Sequence, residues 1–246
     1  MLESMVYPSF KKREDIPEEG RGKTKPSQRN LNDKNSRRQI IRLANINFGE
    51  GDIWATFGWD NKHMPDSEER AKKDIRNFIE KINYRRKKMG KENTKYICIL
   101  AFDGQERPHF HILLSGDGVD RDELEELWTK CERKNTRRIK PDDDFMITGI
   151  GTYISQNRKG QKRWFSSKNL KKPDKPTRSY KKFSRKKVEK MVRDFEVLKE
   201  QMEKAYPGYK FLDAEVRHND RIAAFYIYAR MVKKRKREKE KGKQFR

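Results

Sequence analysis

The sequence predicts an α+β protein with a mainly antiparallel central β-sheet and helices packed on it. Three observations lead there. Apolar runs at 53–57, 96–101 and 109–114 have the length and the aromatic and β-branched content of strands. The second and third are joined by a polar segment opening on Asp103-Gly104, which makes them a β-hairpin. Elsewhere, apolar residues recur at the 3.6-residue spacing of helices, and such helices are expected to cover one face of the sheet.

The elements follow in order. Residues 1–35 are mostly polar and are expected to form a flexible N-terminal segment. Ile40, Ile41, Leu43, Ile46 and Phe48 mark a short helix or turn entering the domain, and Ile53-Trp54-Ala55-Thr56-Phe57 is the first strand. Asp66-Ser67-Glu68-Glu69 is a helix start, with an acceptor at the cap and Glu three residues later. Ala71, Ile75, Phe78, Ile79 and Ile82 then give that helix an inner face to about Lys88, before Gly90. After the hairpin, a second helix starts at Asp120, with Leu124, Leu127, Trp128 and Cys131 as its stripe. Phe145-Met146-Ile147 is a short strand candidate. A third helix, from about Thr148 to Asn157, sets Tyr153 and Gln156 together at i and i+3. Residues 171–183 form a Lys- and Pro-rich crossing. A longer helix from about Ser184 buries Val188, Met191, Phe195, Leu198 and Met202. Strands at Phe211–Val216 and Ile222–Ala229 meet through Asn219-Asp220, and a basic tail begins at Lys233. The domain expectation is therefore a segment 1–35, a sheet domain 36–178, a helix and β-hairpin 179–232 packing on it, and a tail 233–246.

Composition points to a polyanionic partner. The 246 residues hold 62 Lys and Arg against 38 Asp and Glu, a net charge of +24. Charge alone is equally satisfied by a noncatalytic nucleic-acid-binding protein. Cys98 and Cys131 sit on apolar faces with no CxxC spacing, which fits core residues in a reducing compartment. No run approaches the ~18–20 apolar residues of a membrane span, and the N-terminus is too charged for a signal peptide. A soluble, intracellular protein is expected.

Chemistry enters at Arg107-Pro108-His109-Phe110-His111-Ile112-Leu113-Leu114. Residues i and i+2 of a strand share a face, so both imidazoles can address one metal ion. Folding the hairpin about Gln105 sets Ala101 opposite His109; Asp103 shares that parity and is the first candidate for a third ligand, with Glu106 and Gln105 as alternatives. A closed zinc site is not supported, because His63, His218 and the cysteines lack ligand spacing. An open site completed by water and substrate fits better. Water or a tyrosine can serve as nucleophile there, and nothing intrinsic selects Tyr153 from the nine tyrosines. Lys162-Arg163-Trp164-Phe165 mixes cations with rings, as single-strand binding requires. Arg163, Trp164, Lys168 and Asn169 are the contact candidates; packing is the alternative for Trp164 and Phe165.

Four ordered blocks carry a resemblance. They are Ile53–Phe57, Arg107–Leu114, Leu124–Trp128, and Tyr153-Ile154-Ser155-Gln156 followed by Trp164–Pro173. Together they resemble rolling-circle replication initiators of the HUH endonuclease superfamily, the plasmid and phage types, over about residues 35–176. The resemblance implies an HUH, ferredoxin-like endonuclease architecture in which His109 and His111 hold Mg²⁺ or Mn²⁺. It also implies that Tyr153 attacks the scissile phosphate, leaving a 5′-phosphotyrosine and a free 3′-OH that can prime synthesis or be rejoined. Two departures stand out. Gln156 occupies the place of the family's lysine, leaving Arg158 or Lys159 as the cations at hand, and the family's acidic residue falls near Ala101. Imidazole ligands favour Mn²⁺ over Mg²⁺. The implied partner is single-stranded DNA, presented as an origin hairpin in a bacterial cytoplasm. No Walker-type loop is present, so unwinding falls to a host helicase. A metal-dependent RNA nuclease using water or a ribose hydroxyl is the remaining alternative.

Overall fold

The histidine strand is the central strand of a five-stranded sheet. In the computed structural model, which describes residues 1–9, 26–102, 104, 106–155, 164–219 and 223–234, the chain divides into two compact units. One is Thr24–Asp174; the other joins Met1–Lys23 to Lys175–Arg246.

In chain order, the first unit holds α1 (Pro26–Asn47), β2 (Ile53–Gly58), α2 (Glu68–Lys88), β3 (Tyr96–Ala101) and β4 (His109–Leu114), after the β1 strand (Leu2–Val6) of the other unit. It continues with α3 (Arg121–Leu127), β5 (Lys134–Arg138), α4 (Thr148–Ser155) and β6 (Trp164–Ser166). Its strands run in the order β5-β2-β4-β3-β6, antiparallel throughout. The hairpin register is the one the sequence predicts, with Ala101 opposite His109.

Strand alternation sends side chains to two separate cores. Ile53, Ala55 and Phe57, with Phe110, Ile112 and Leu114, meet α2 and Trp128 on one face. Phe57, Phe78, Phe110 and Trp128 interlock there, with Phe110 and Trp128 centroids 5.0 Å apart. The buried indoles of this face are satisfied, since Trp59 Nε1 donates to Asp74 Oδ2 at 3.0 Å and Trp128 Nε1 to the Gly58 carbonyl at 2.8 Å. On the other face, Leu113, Ile97 and Ile99 meet Ile40, Leu43 and Ala44 of α1 and Ile154 of α4. Helices therefore cover both faces, not one as expected.

Other differences have local causes. β5, Lys-Asn-Thr-Arg-Arg, carries no apolar residue and was not expected as a strand; it holds the sheet edge, where only Thr136 turns inward opposite Ala55. Phe145–Ile147 is not a strand. Asp142 Oδ1 accepts from the Asp144 and Phe145 amides at 2.9 and 2.8 Å, Met146 takes φ 55°, and Ile147 drops into the second core. α1 begins much earlier than expected, at Pro26, a residue suited to a first helical position. α2 is capped as predicted in type, with Ser67 Oγ accepting from the Arg70 amide at 3.3 Å.

The second unit is a three-stranded sheet, β1-β8-β7, where β7 is Tyr209–Asn219 and β8 is Ala224–Lys233. Leu2–Val6, expected to be loose, pairs with β8, a partner more than two hundred residues away that no local pattern discloses. The helix expected from Ser184 is two helices, α5 (Arg185–Arg193) and α6 (Phe195–Ala205). Asp194 between them is extended (φ −138°, ψ 118°), and its Oδ1 accepts from the Glu196 and Val197 amides. That carboxylate caps α6 and so ends α5. Met191, Leu198, Met202, Phe211, Ile227 and Met231 form this unit's own core.

Candidate active site

His109 and His111 alternate with buried Phe110 and Ile112 and so face the α1–α4 side. Their ring centroids lie 5.1 Å apart, edge to face. The Tyr153 ring on α4 lies 5.6 Å from the His111 ring, and 5.6 Å from Trp54 of β2. Tyr153 is 53% exposed, so its phenol is open to solvent although its ring is held between two neighbours. The structure thus brings together the two histidines and the tyrosine, residues 111 and 153 being joined only by the fold.

Each ring is oriented by a second group. His109 Nδ1 is 2.9 Å from the Arg107 carbonyl, which can only accept, so Nδ1 carries the proton and Nε2 is left as the acceptor nitrogen. His111 Nδ1 is 2.9 Å from Thr56 Oγ1 on the paired position of β2. Such outer partners fix tautomer and direction in metal-binding histidines. Beside His109 the neighbouring strands offer only Gly58 and Ala101, which leave space over its ring. Arg107 itself is tied down, its Nε donating to the Trp59 carbonyl at 2.9 Å and Nη2 to Asn61 Oδ1 at 2.8 Å.

The position of Tyr153 is set by α1. Asn45 Nδ2 donates to Thr148 Oγ1 at 2.9 Å, and Asn45 Oδ1 accepts from the Ile147 amide at 3.0 Å, fixing the start of α4. Gly151 lies directly on α1: a Cβ there would stand 3.3 Å from Ile41 Cα. Glycine is required by this close approach, and it lets the buried Ile154 side meet α1 while Tyr153 turns to the histidines.

The donor set fits an open divalent site in part. Two oriented imidazoles are present, but among the described residues no group of three or more His, Cys, Asp or Glu could hold a metal ion. Asp103 and Gln105 lie outside the described residues, as do Gln156, Arg158, Lys159 and Arg163. Glu106 is described and exposed. Trp164 pairs through Ile99 toward His111, yet it packs on the second core and donates Nε1 to Ser36 Oγ at 3.1 Å. Lys168 and Asn169 are not brought to the histidines: they follow β6 at the Tyr96 end of the sheet, and His109 lies at the Ala101 end. Thr56, Asn45 and Gly151 were not singled out from sequence. A threonine on the histidine-facing side of the first strand and a glycine inside a short helix were the available signals.

No helix among the described residues is long and apolar enough to cross a membrane. The family model of the ORF2-type replication-associated proteins matches residues 52–222, which include both histidines and Tyr153. No curated protein and no solved structure matches the chain.

Proposed function

The chain belongs to the family of ORF2-type replication-associated proteins, and on that premise we propose that it initiates rolling-circle replication by nicking single-stranded origin DNA with Tyr153. The observation carrying this reading is the seating of an exposed phenol against one ring of a histidine pair. In the proposed step, Tyr153 Oη forms a bond to the scissile phosphorus as the P–O3′ bond breaks. The phenolic proton is lost and the 3′-oxygen gains one. The products are a 5′-phosphotyrosine and a free 3′-OH, and the reverse attack rejoins ends.

The chain's own residues supply position. Trp54 and His111 hold the phenol ring, Asn45 and Gly151 hold its helix, and the open surface beside Gly58 and Ala101 admits the phosphate. A divalent cation on His109 and His111, Mn²⁺ in preference to Mg²⁺, supplies positive charge against the nonbridging phosphate oxygens. Asp103 is the proposed third ligand, and Gln156 hydrogen-bonds phosphate or water where the family carries lysine. Arg158, Lys159 and Arg163 follow the DNA backbone. The substrate is an origin hairpin in a bacterial cytoplasm, with unwinding by a host helicase.

The test is a labelled single-stranded origin oligonucleotide incubated with Mn²⁺ and run on a denaturing gel. The parent protein yields a protein-linked band. Tyr153→Phe abolishes it while binding survives, and replacement of both histidines by Ala removes metal-dependent cleavage. An adduct persisting in Tyr153→Phe overturns the nucleophile; cleavage of RNA with no linked product favours a ribonuclease instead.

A further inference from the structure

A cleft of about 330 Å³ opens at the far end of the first unit's sheet, between α2, the start of β3 and the turn after β6. It is lined by polar groups that the fold leaves unused. Asn83 Oδ1 accepts from the Thr94 amide at 2.8 Å, which occupies its acceptor and leaves its two amide donors. Asn169 Nδ2 donates to the Asn93 carbonyl at 2.8 Å, which leaves its Oδ1 as acceptor. The wall between them is the Tyr96 ring, which meets Phe165 edge to face 6.3 Å away on its inner side. Arg76 and Lys168 are exposed at the rim and have no ion-pair partner among the described residues. Glu80 is the one carboxylate in the lining.

An aromatic face, amide donors and an acceptor at hydrogen-bonding range, and two rim cations are the parts that recognise one nucleotide. The ring stacks on a base, the amides read its edge, and the cations meet the flanking phosphates. The cleft is distinct from the histidine site. Tyr96 pairs with Leu114 and Ala101 with His109, so the two lie at opposite ends of β3, roughly 17 Å apart along a strand rising ~3.4 Å per residue. We propose that this cleft is a second DNA subsite, which holds one unpaired nucleotide of the origin strand away from the scissile phosphate. A strand anchored there as well as at Tyr153 is measured in length and register, so the cleft selects which phosphodiester is presented. The inference rests on the nicking reading for its purpose, but not for its binding.

The test uses the full chain and a single-stranded oligonucleotide carrying 5-iododeoxyuridine at successive positions. Irradiation followed by peptide mapping is expected to give a crosslink at Tyr96 from one position. The double variant Arg76→Gln/Lys168→Gln, at two exposed side chains, is expected to weaken binding about tenfold. It should also lower the slope of log Kd against log salt by about 1.4, the contribution of two single-strand phosphate contacts. Tyr96→Leu should weaken binding about fivefold or more, the effect of one lost base–aromatic stack. No crosslink at Tyr96, together with unchanged affinity and slope in the double variant, overturns the subsite. If the double variant binds as the parent does while the Tyr153 adduct still forms, the cleft fails and nicking stands. If binding falls as expected but no adduct ever forms, the cleft stands and nicking fails.

Discussion

Gly151 is where the fold and the chemistry can be perturbed together. A Cβ at this position would stand 3.3 Å from both Ile41 Cα and Ile41 Cγ1, so the neighbouring helix must yield by a few tenths of an ångström. In Gly151→Ala, the gain from replacing a helical glycine is roughly 1 kcal/mol, and it opposes an overpacking penalty beginning at about 1 kcal/mol. Stability should change little. Tyr153 nevertheless moves with α4, and if a 1 Å misplacement costs about 100-fold in rate, a shift of roughly 0.3 Å costs about fourfold. Gly151→Val adds two methyl groups against backbone that cannot rotate away, and a loss of about 2 kcal/mol follows. With a urea m-value of roughly 2 kcal/mol/M, the unfolding midpoint should fall by about 1 M. Urea unfolding by tryptophan fluorescence reads the first quantity, and the initial rate of Tyr153 adduct formation reads the second. A valine variant with the parent's midpoint and the parent's rate refutes the argument that α1 positions the nucleophile.

Thr56→Val removes the hydroxyl at His111 Nδ1 with little change of shape, and should weaken Mn²⁺ binding about 10- to 100-fold by calorimetry. Asp74→Ala strands the buried Trp59 indole N–H and should destabilise the protein by about 1–3 kcal/mol in chemical denaturation. Asp194→Ala removes the cap between α5 and α6, with an expected loss of about 1 kcal/mol in the unit that contains them. Burial pushes the Cys98 thiol well above its ordinary range. Iodoacetamide at pH 8 should therefore label the partly exposed Cys131 and spare Cys98 in the native protein. Because the folded state holds the Cys98 proton more tightly than the unfolded chain, its contribution is fully present below the unfolded thiol pKa. It is lost as pH rises above that value, which equilibrium unfolding at pH 8 and pH 10 can read.

The sequence made legible whatever depends on a local period. The hairpin at 96–114 was readable to its register, because alternation of buried and half-buried positions runs through both strands and only a short turn divides them. The amphipathic stripe of α2 was equally plain, since Ile75, Phe78, Ile79 and Ile82 are spaced for one face and all are buried. What escaped was set at long range. β5 is a strand because β2 offers it an edge, not because Lys-Asn-Thr-Arg-Arg prefers one. β1 is recruited by β8 in the same way. The break at Asp194 was masked because apolar spacing continues across it, so a cap was read as part of one helix. At the site, the shared face of His109 and His111 followed from strand geometry alone. Their meeting with Tyr153 did not, because it depends on how closely α4 approaches α1, and Gly151 makes that approach possible only in three dimensions.

The most direct measurement is peptide mapping by mass spectrometry of the covalent product formed with single-stranded origin DNA and Mn²⁺. A nucleotide 5′-phosphate on the peptide containing Tyr153, absent when both histidines are replaced by Ala, is the expected outcome. Cleaved DNA with no nucleotide on any tyrosine, or with the nucleotide on a different one, would show that the exposed phenol beside His111 is not the nucleophile.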